Sequence, residues 1–473
     1  MAPITPYINR ELNRLVPVPD CNGHRFALLE GTKSSFLVSD HVYELLQKQT
    51  SNGGQNTDTI AREIKRLKDL GFWYDNPKSF EISKDYISLS LHLVHGCNLA
   101  CTYCNVKQGT YGEPFSLMDE STADAAIDFF VSIRNGRFPR LVFYGGEPLL
   151  NWDVLTHATK KIASIFAERE IQIVTNGTLI DKERAQFLAD NEIFVIISID
   201  GPKDIHDRNR PMKTGGSSYE KAVKGLEHLK TAGVRFHIRA TWSPEYAPYD
   251  DVYMHLVEIA GNSRQVTVAL EFSEANGSAI ERYNELLFDK YRLAEEKGCE
   301  LPNSTYQYLD QALRADWAPV PRCEAGHAGF SITPNGDIYP CQVSVSRKKF
   351  KLGTIYTGID EKGRENLQEF LESSSPVCEK CWANNYCGGP CRYAVPIPDN
   401  WDYCKTVRLQ IIEAFNFIAR AHTGDLLPIY QAPEVFDEEI RAIKRGAALR
   451  EILWKHNRHI LPISICPQNG NNI

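Results

Sequence analysis

Ten of the thirteen cysteines in this 473-residue chain fall into two groups, and that grouping constrains the fold more than any other feature. The first group is Cys97, Cys101 and Cys104, spaced C-x3-C-x2-C within His92-Leu-Val-His-Gly-Cys-Asn-Leu-Ala-Cys-Thr-Tyr-Cys104. The second holds seven, from Cys323 to Cys404. Just before the first group, Ile87, Leu89, Leu91 and Leu93 alternate with Ser88, Ser90 and His92, so a β-strand delivers the thiols into a loop. Three thiols cannot pair off among themselves as disulfides. As thiolates they are soft ligands that can hold three irons of a four-iron cluster and leave the fourth open. A structural zinc site is the competing reading, but such a site normally takes four protein ligands, and C-x3-C is not its usual spacing.

Composition sets the surroundings for these thiols. A net charge of −7 gives no reason to expect nucleic acid as a partner. No apolar run is long enough to span a bilayer, and Met1-Ala-Pro-Ile-Thr-Pro-Tyr lacks an apolar signal core, so no membrane is expected and the expected compartment is the cytoplasm. Cysteines in that compartment need a role other than disulfides. Cys21, Cys299 and Cys466 stand outside both groups and read as ordinary thiols.

Along the chain, residues 1–17 read as an irregular arm. Arg25-Phe-Ala-Leu-Leu-Glu and Ser35-Phe-Leu-Val-Ser read as two short strands around Gly31-Thr-Lys-Ser. Asp40 can cap a helix carrying Val42, Leu45 and Leu46, and a second helix carries Ile60, Ile64, Leu67 and Leu70 before Gly71. From about residue 85 to 310, strands alternate with helical segments, which argues for a parallel sheet. Leu141-Val-Phe-Tyr ends at Gly145-Gly-Glu-Pro148, Ile171-Gln-Ile-Val-Thr at Asn176-Gly-Thr, and Phe194-Val-Ile-Ile-Ser-Ile at Asp200-Gly-Pro. Glycine and polar residues thus sit at strand C-terminal ends, where parallel barrels place their sites. Phe330-Ser-Ile-Thr and Gly336-Asp-Ile-Tyr-Pro-Cys read as a hairpin turning at Pro334-Asn-Gly. After Cys404, residues 411–421 and 436–454 have helical periodicity.

These motifs together resemble the radical S-adenosylmethionine (SAM) superfamily. The resemblance implies a partial (β/α)6 barrel over 85–310, whose open iron binds SAM and whose cleavage of SAM yields a 5′-deoxyadenosyl radical. It implies that Cys97, Cys101 and Cys104 hold the SAM-binding cluster, and that Gly145, Gly146 and Glu147 form the turn beside the methionine amino group. Thr175 and Asn176 would face the ribose. Ser198 and Arg210 would meet the carboxylate, for which a guanidinium fork is better suited than an ammonium. His92, His95 and His206 read as structural.

The second cysteine group closely resembles the SPASM domain, expected here over 311–410, with two auxiliary four-iron clusters. That resemblance gives Cys323, Cys341 and Cys391 to one cluster and Cys378, Cys381, Cys387 and Cys404 to the other, for three [4Fe-4S] clusters in all. The first auxiliary set has three thiols where some relatives have four, which leaves its fourth iron for a substrate thiolate or for a side chain such as His327. Residues 20–80, within an N-terminal domain spanning 1–84, resemble the winged-helix-like domain that binds the leader of a ribosomal precursor peptide. Residues 411–473 form a helical extension outside the resemblance.

The implied activity is that of a peptide maturase that installs a cross-link, the expected one joining cysteine sulfur to carbon. Its partners would be a leader-bearing precursor and an external reductant such as flavodoxin or ferredoxin. Carbon–carbon cross-linking is the alternative chemistry, and a catalytically silent iron–sulfur electron carrier or peptide-binding partner is the alternative class. Sulfatase-maturing relatives carry an aspartate base where this chain has Gln342, and an amide cannot serve as that base.

Overall fold

The computed structural model describes three short strands between 15 and 37, Glu44, residues 86–270 without Pro244, Ser263 and Arg264, and residues 325–372 without His327 and Ser346. Beyond these it describes Cys378, Cys381, residues 383–387, Cys404, Val407, Arg408 and residues 410–412. The chain divides into two compact units. One contains Ser83–Ala279 and Glu324–Ser373, the other Met1–Ile82, Ile280–Cys323 and Ser374–Cys466.

In the second of these units, β1 (Leu15–Pro17), β2 (Phe26–Leu29) and β3 (Ser35–Leu37) form an antiparallel sheet in the order β1-β2-β3. The two strands expected around Gly31 are therefore present. The arm expected over 1–17 is not wholly irregular, because Leu15–Pro17 pairs with β2 from Leu15↔Leu29 to Pro17↔Ala27. The helices expected after Asp40, around residues 60–70 and over 436–454 lie outside the described residues, apart from Glu44, which is helical.

The larger unit is built on β4 (Tyr86–His95), whose sequence alternates. Ile87, Leu89, Leu91 and Leu93 are all fully buried, and burying each side chain is worth about 2 kcal/mol. Helix α1 (Glu120–Ile133) packs on this strand with Ala123, Ala126, Ile127 and Phe130 buried. The remaining parallel strands are β6 (Phe138–Gly145), β7 (Glu170–Thr175), β8 (Phe194–Ser198), β9 (Phe236–Trp242) and β10 (Val266–Leu270). They lie beside β4 in chain order. Helices α2 (Trp152–Ile165), α3 (Lys182–Asp190), α4 (Lys203–Asn209), α5 (Ser218–Thr231) and α6 (Tyr249–Ala260) make the crossovers. These are the six repeated β–α units expected from the sequence. The two-residue strand β5 (Ser116–Leu117) pairs antiparallel with the end of β4.

The register fixes which residues share a face. Ser88 pairs with Arg140, and Arg140 with Glu170. Arg140 Nε donates to Glu170 at 2.9 Å, and its guanidinium lies 4.0 Å from the Tyr86 ring centre. This polar row occupies the N-terminal end of the sheet. The cysteine loop leaves the opposite, C-terminal end, where parallel sheets carry their chemistry.

The sheet also extends past β4 on its other edge. Strand β11 (Gly329–Ile332) runs parallel to β4, with Ser331 beside Ser90, and turns antiparallel into β12 (Asp337–Tyr339). The hairpin expected at Pro334-Asn-Gly is the connection: Gly336 has φ of +82° and its N–H donates to the Thr333 carbonyl at 2.9 Å. The sequence placed this hairpin in a separate 311–410 domain, whereas it joins the core sheet and gives the free edge of β4 its hydrogen bonds. Short strands β13 (Gly353–Thr354) and β14 (Gly358–Ile359) continue that sheet, and helix α7 (Glu361–Glu372) follows.

Side-chain caps set the helix starts. The Asp119 carboxylate accepts from Thr122 N at 2.7 Å, Asp181 from Arg184 N at 2.8 Å and Ser217 Oγ from Glu220 N at 3.1 Å. The backbone hydrogen bond from Thr122 is the main cause holding the Asp119 carboxyl below its usual range. Its stabilising contribution is therefore present above the ordinary carboxylate pKa and is lost as pH falls through the lower folded value. Asp119→Ala should cost about 1 kcal/mol at neutral pH. Urea denaturation followed by circular dichroism should show the gap between wild type and variant narrowing in acid.

Candidate active site

Strand β4 ends at His95, and the next residues fold over its tip. A register shift between His92 and Val94 redirects the strand as it meets Gly145. Gly146 N donates to the Val94 carbonyl at 3.0 Å, and Glu147 N to the Gly96 carbonyl at 2.9 Å. The Gly-Gly-Glu turn is thereby strapped to the start of the cysteine loop. A Cβ at Gly146 would fall 2.0 Å from the Gly96 carbonyl oxygen, so only glycine permits this contact. A Cβ at Gly109, which has φ of +84°, would fall 2.8 Å from Cys97 Cβ.

On its other side the cysteine loop is laced to residues 209–213. Ala100 N donates to Pro211 O at 2.8 Å, Thr102 N to Asn209 O at 2.9 Å and Lys213 N to Asn98 O at 3.1 Å. Leu99 and Met212 form an antiparallel bridge between them. The thiols are thus carried on a loop held from two directions.

Cys97, Cys101 and Cys104 are free and half-buried. Leu99 N donates to Cys97 Sγ at 3.3 Å and Gln108 N to Cys104 Sγ at 3.2 Å. Asn176 Nδ2 lies 3.7 Å from Cys97 Sγ. Burial pushes the Cys97 thiol up to about 12, with Glu147 and the other two cysteines adding to the rise. Burial likewise raises Cys101 to about 11, while Arg210 opposes it. Three thiols that feel each other's charge resist ionising together unless a cation neutralises them, and N–H donors aimed at sulfur favour the thiolate. Among the described residues no three Cys, His, Asp or Glu side chains converge as they would around a single metal ion. A four-iron cluster spreads its ligands more widely than one ion does, and this donor set fits such a cluster.

Around the thiols lies a polar frame. Glu147 is fully buried. Its Oε1 accepts from Leu149 N at 3.1 Å and Thr175 Oγ1 at 2.7 Å, and its Oε2 from Asn176 N at 2.8 Å. Burial raises its pKa to about 7 against the pull of those donors. The sequence offered this carboxylate to the SAM amino group. In the structure both its oxygens are engaged within the protein and closed to solvent, so the side chain ties the ends of β6 and β7 together and does not present a charge to a ligand. Asn176 Nδ2 donates to Asn98 Oδ1 at 2.9 Å, and Asn98 Nδ2 to Thr178 Oγ1 at 2.9 Å.

A second buried carboxylate does similar work beyond β8. Asp200 is fully buried. Its Oδ2 accepts from Tyr103 Oη at 2.5 Å and from Arg210 Nε at 2.9 Å, and its Oδ1 from Thr241 N at 2.9 Å. Arg210 thus spends Nε internally, which leaves its Nη edge for an anionic ligand. Ser198 is half-buried at the end of the neighbouring strand. His206 Nδ1 accepts from Asp200 N at 3.2 Å. His92 and His95 are buried and held neutral by burial, in aromatic contact with each other and with Tyr111. All three histidines fit the structural role the sequence gave them.

Residues 91–244 match the radical SAM superfamily. The chain is 26% identical over 342 residues to the cysteine-type anaerobic sulfatase-maturating enzyme of Clostridium perfringens (strain 13 / Type A), covering 66% of this chain and 92% of that protein. It is 28% identical over 341 residues to the serine-type anaerobic sulfatase-maturating enzyme of Bacteroides thetaiotaomicron, covering 62% and 80%. The chain is a radical SAM enzyme. The solved structure of native anSMEcpe with bound AdoMet superposes with a TM-score of 0.60 at 22% identity, over 71% of this chain and 99% of that one, so the two share a fold. Membership of the radical SAM superfamily implies SAM and a [4Fe-4S] cluster.

The structure of this radical SAM enzyme brings Cys97, Cys101, Cys104, Gly145, Gly146, Glu147, Thr175, Asn176 and Arg210 together around one loop. Cys341 belongs to the same compact unit, half-buried, with its N–H donating to Ser344 Oγ at 3.2 Å. Cys323, Cys391 and His327 lie outside the described residues. Cys378, Cys381, Cys387 and Cys404 belong to the other unit, where Cys404 is raised to about 11 by burial and by the other three thiols, with Arg408 opposing. Sequence reasoning passed over Asn98, Tyr103, Asp200 and the 209–213 ladder, although Tyr103 and Asp200 lay inside quoted motifs. Asp200→Asn should keep the iron of the Cys97 loop but weaken SAM binding about ten-fold or more, since a hydrogen bond to a charged group is worth roughly 1.5–3 kcal/mol. Equilibrium dialysis with SAM alongside iron analysis checks this, and unchanged affinity would contradict it.

Proposed function

We propose that this radical SAM enzyme matures a ribosomally made precursor peptide by joining a cysteine sulfur to a carbon of the same peptide. The observation that carries this is the loop of three mutually coupled thiols at the sheet's C-terminal end, in a chain homologous to enzymes named for maturing sulfatases. When bound, the cluster and SAM supply a 5′-deoxyadenosyl radical that takes a hydrogen atom from the substrate. The chain's own residues hold and orient. Cys97, Cys101 and Cys104 ligate the cluster, Asn176 and the Leu99 and Gln108 N–H groups support the sulfurs, and Arg210 with Ser198 receives the SAM carboxylate.

Gln342 distinguishes this chain from formylglycine-forming relatives, because an amide cannot remove a proton as a carboxylate does. Two auxiliary clusters are part of the proposal, one on Cys323, Cys341 and Cys391, the other on Cys378, Cys381, Cys387 and Cys404. The sheet β1-β2-β3 is proposed to receive the leader, an extended peptide adding to a free edge. Carbon–carbon bond formation is the second reading. It is favoured by 22% identity over 386 residues to the radical SAM cyclopropyl synthase TigE of Paramaledivibacter caminithermalis, covering 76% of this chain and 77% of that one.

The test is anaerobic reaction with the cognate precursor, reductant and SAM, read by mass spectrometry. A thioether should appear as a loss of two hydrogens that depends on the precursor cysteines. The same product from a precursor with every cysteine replaced by serine would decide for the carbon–carbon reading. Deleting residues 1–80 should abolish modification while slow SAM cleavage persists.

A further inference from the structure

Arg408 is a residue that neither cysteine motif includes. It lies four residues after Cys404, and both are helical. Spacing of i,i+4 sets two side chains on one helix face. Val407 and Ile411 of the same segment are buried. Arg408 Nη2 donates to Cys381 Sγ at 3.4 Å, and the guanidinium interacts electrostatically with Cys404 and Cys387 as well. Its Nε is buried with no partner among the described residues. A half-buried cation has therefore been placed among four thiols, with one N–H aimed at a sulfur.

We infer that Arg408 tunes the metal centre of Cys378, Cys381, Cys387 and Cys404, raising its reduction potential through its charge and its hydrogen bond to Cys381 Sγ. The inference rests on the proposal that these four thiols hold a four-iron cluster. Four thiolates give such a centre a negative overall charge, and adding an electron adds another. Net charge and hydrogen bonds to sulfur are among the factors that set the potential of an iron–sulfur cluster. A fixed guanidinium favours the more negative, reduced form, and the N–H···S bond does the same. Arginine suits the position because it stays charged when half-buried and can direct donors from a planar fork. The competing account is an ordinary half-buried arginine that packs beside the cysteines and leaves their redox chemistry alone.

The experiment uses the full chain, reconstituted anaerobically with iron and sulfide, and a potentiometric titration followed by electron paramagnetic resonance. A Cys378→Ala/Cys381→Ala variant identifies which signal and which iron belong to this site. If that variant keeps as much iron as the wild type, the four-thiol cluster does not exist and the inference is overturned with it. With the site established, Arg408→Gln should keep its iron and move the midpoint of that signal to lower potential, leaving the midpoint of the Cys97-loop signal where it was. An unchanged midpoint at unchanged iron content overturns the role of Arg408 and leaves the cluster assignment standing. Should Arg408→Gln lose the iron of this site, Arg408→Lys carries the same test. Lysine keeps the charge without the fork, so its midpoint should lie below the wild-type value, and an identical midpoint overturns the inference.

Discussion

The Glu147 carboxylate is fully buried where the ends of β6 and β7 meet the cysteine loop, and it accepts hydrogen bonds from Leu149 N, Thr175 Oγ1 and Asn176 N. Enclosing an acidic group this completely is costly unless its oxygens are satisfied. Three donors on two oxygens meet that demand. The same residue's N–H is bonded to Gly96 O, so backbone and side chain together join three segments far apart in sequence. The order of Cys97, and of Asn176 against it, follows from that junction. Loss of Glu147 would leave two buried backbone N–H groups without acceptors.

The stretch after Cys104 shows the strain this arrangement tolerates. Lys107, Gln108 and Tyr111 have φ of +48°, +55° and +59°. Each non-glycine residue held this way costs about 1–3 kcal/mol. Compensation is local. Gln108 N reaches Cys104 Sγ, and Tyr111 Oη donates to Gly145 O at 3.2 Å. The Tyr111 ring stacks on His95 and is buried with Tyr339 and Val345, against which Val106 and Phe350 pack. The residues following Cys104 and those flanking Cys341 therefore share one hydrophobic cluster, which couples the first cysteine loop to the hairpin beyond β11.

Much of this was legible in the sequence because it depends on local chemistry. The alternation of Ile87, Leu89, Leu91 and Leu93 announced β4, and Pro334-Asn-Gly announced the β11–β12 turn. The thiol spacing and the Gly-Gly-Glu turn announced the site. What escaped depends on pairings between distant segments. Nothing in Gly329–Ile332 alone says that it will lie parallel to β4, and Leu15–Pro17 becomes a strand only because β2 offers it an edge. Glu147 was visible as a motif residue, but its inward direction was not, since a conspicuous carboxylate reads equally well as a ligand or as a tie. Asp200 was quoted within Ser-Ile-Asp-Gly, and only the fold reveals that Tyr103, Arg210 and Thr241 all converge on it.

The central claim is that Cys97, Cys101 and Cys104 hold a cluster with one iron left open for SAM. Freeze-quenched electron paramagnetic resonance of the dithionite-reduced enzyme, recorded with and without SAM, tests it most directly. An open iron that SAM ligates should change the g-values of one reduced-cluster signal, and that signal should be missing from a Cys97→Ala/Cys101→Ala/Cys104→Ala variant. Spectra identical with and without saturating SAM, or a SAM-responsive signal that survives in the triple variant, would contradict the account.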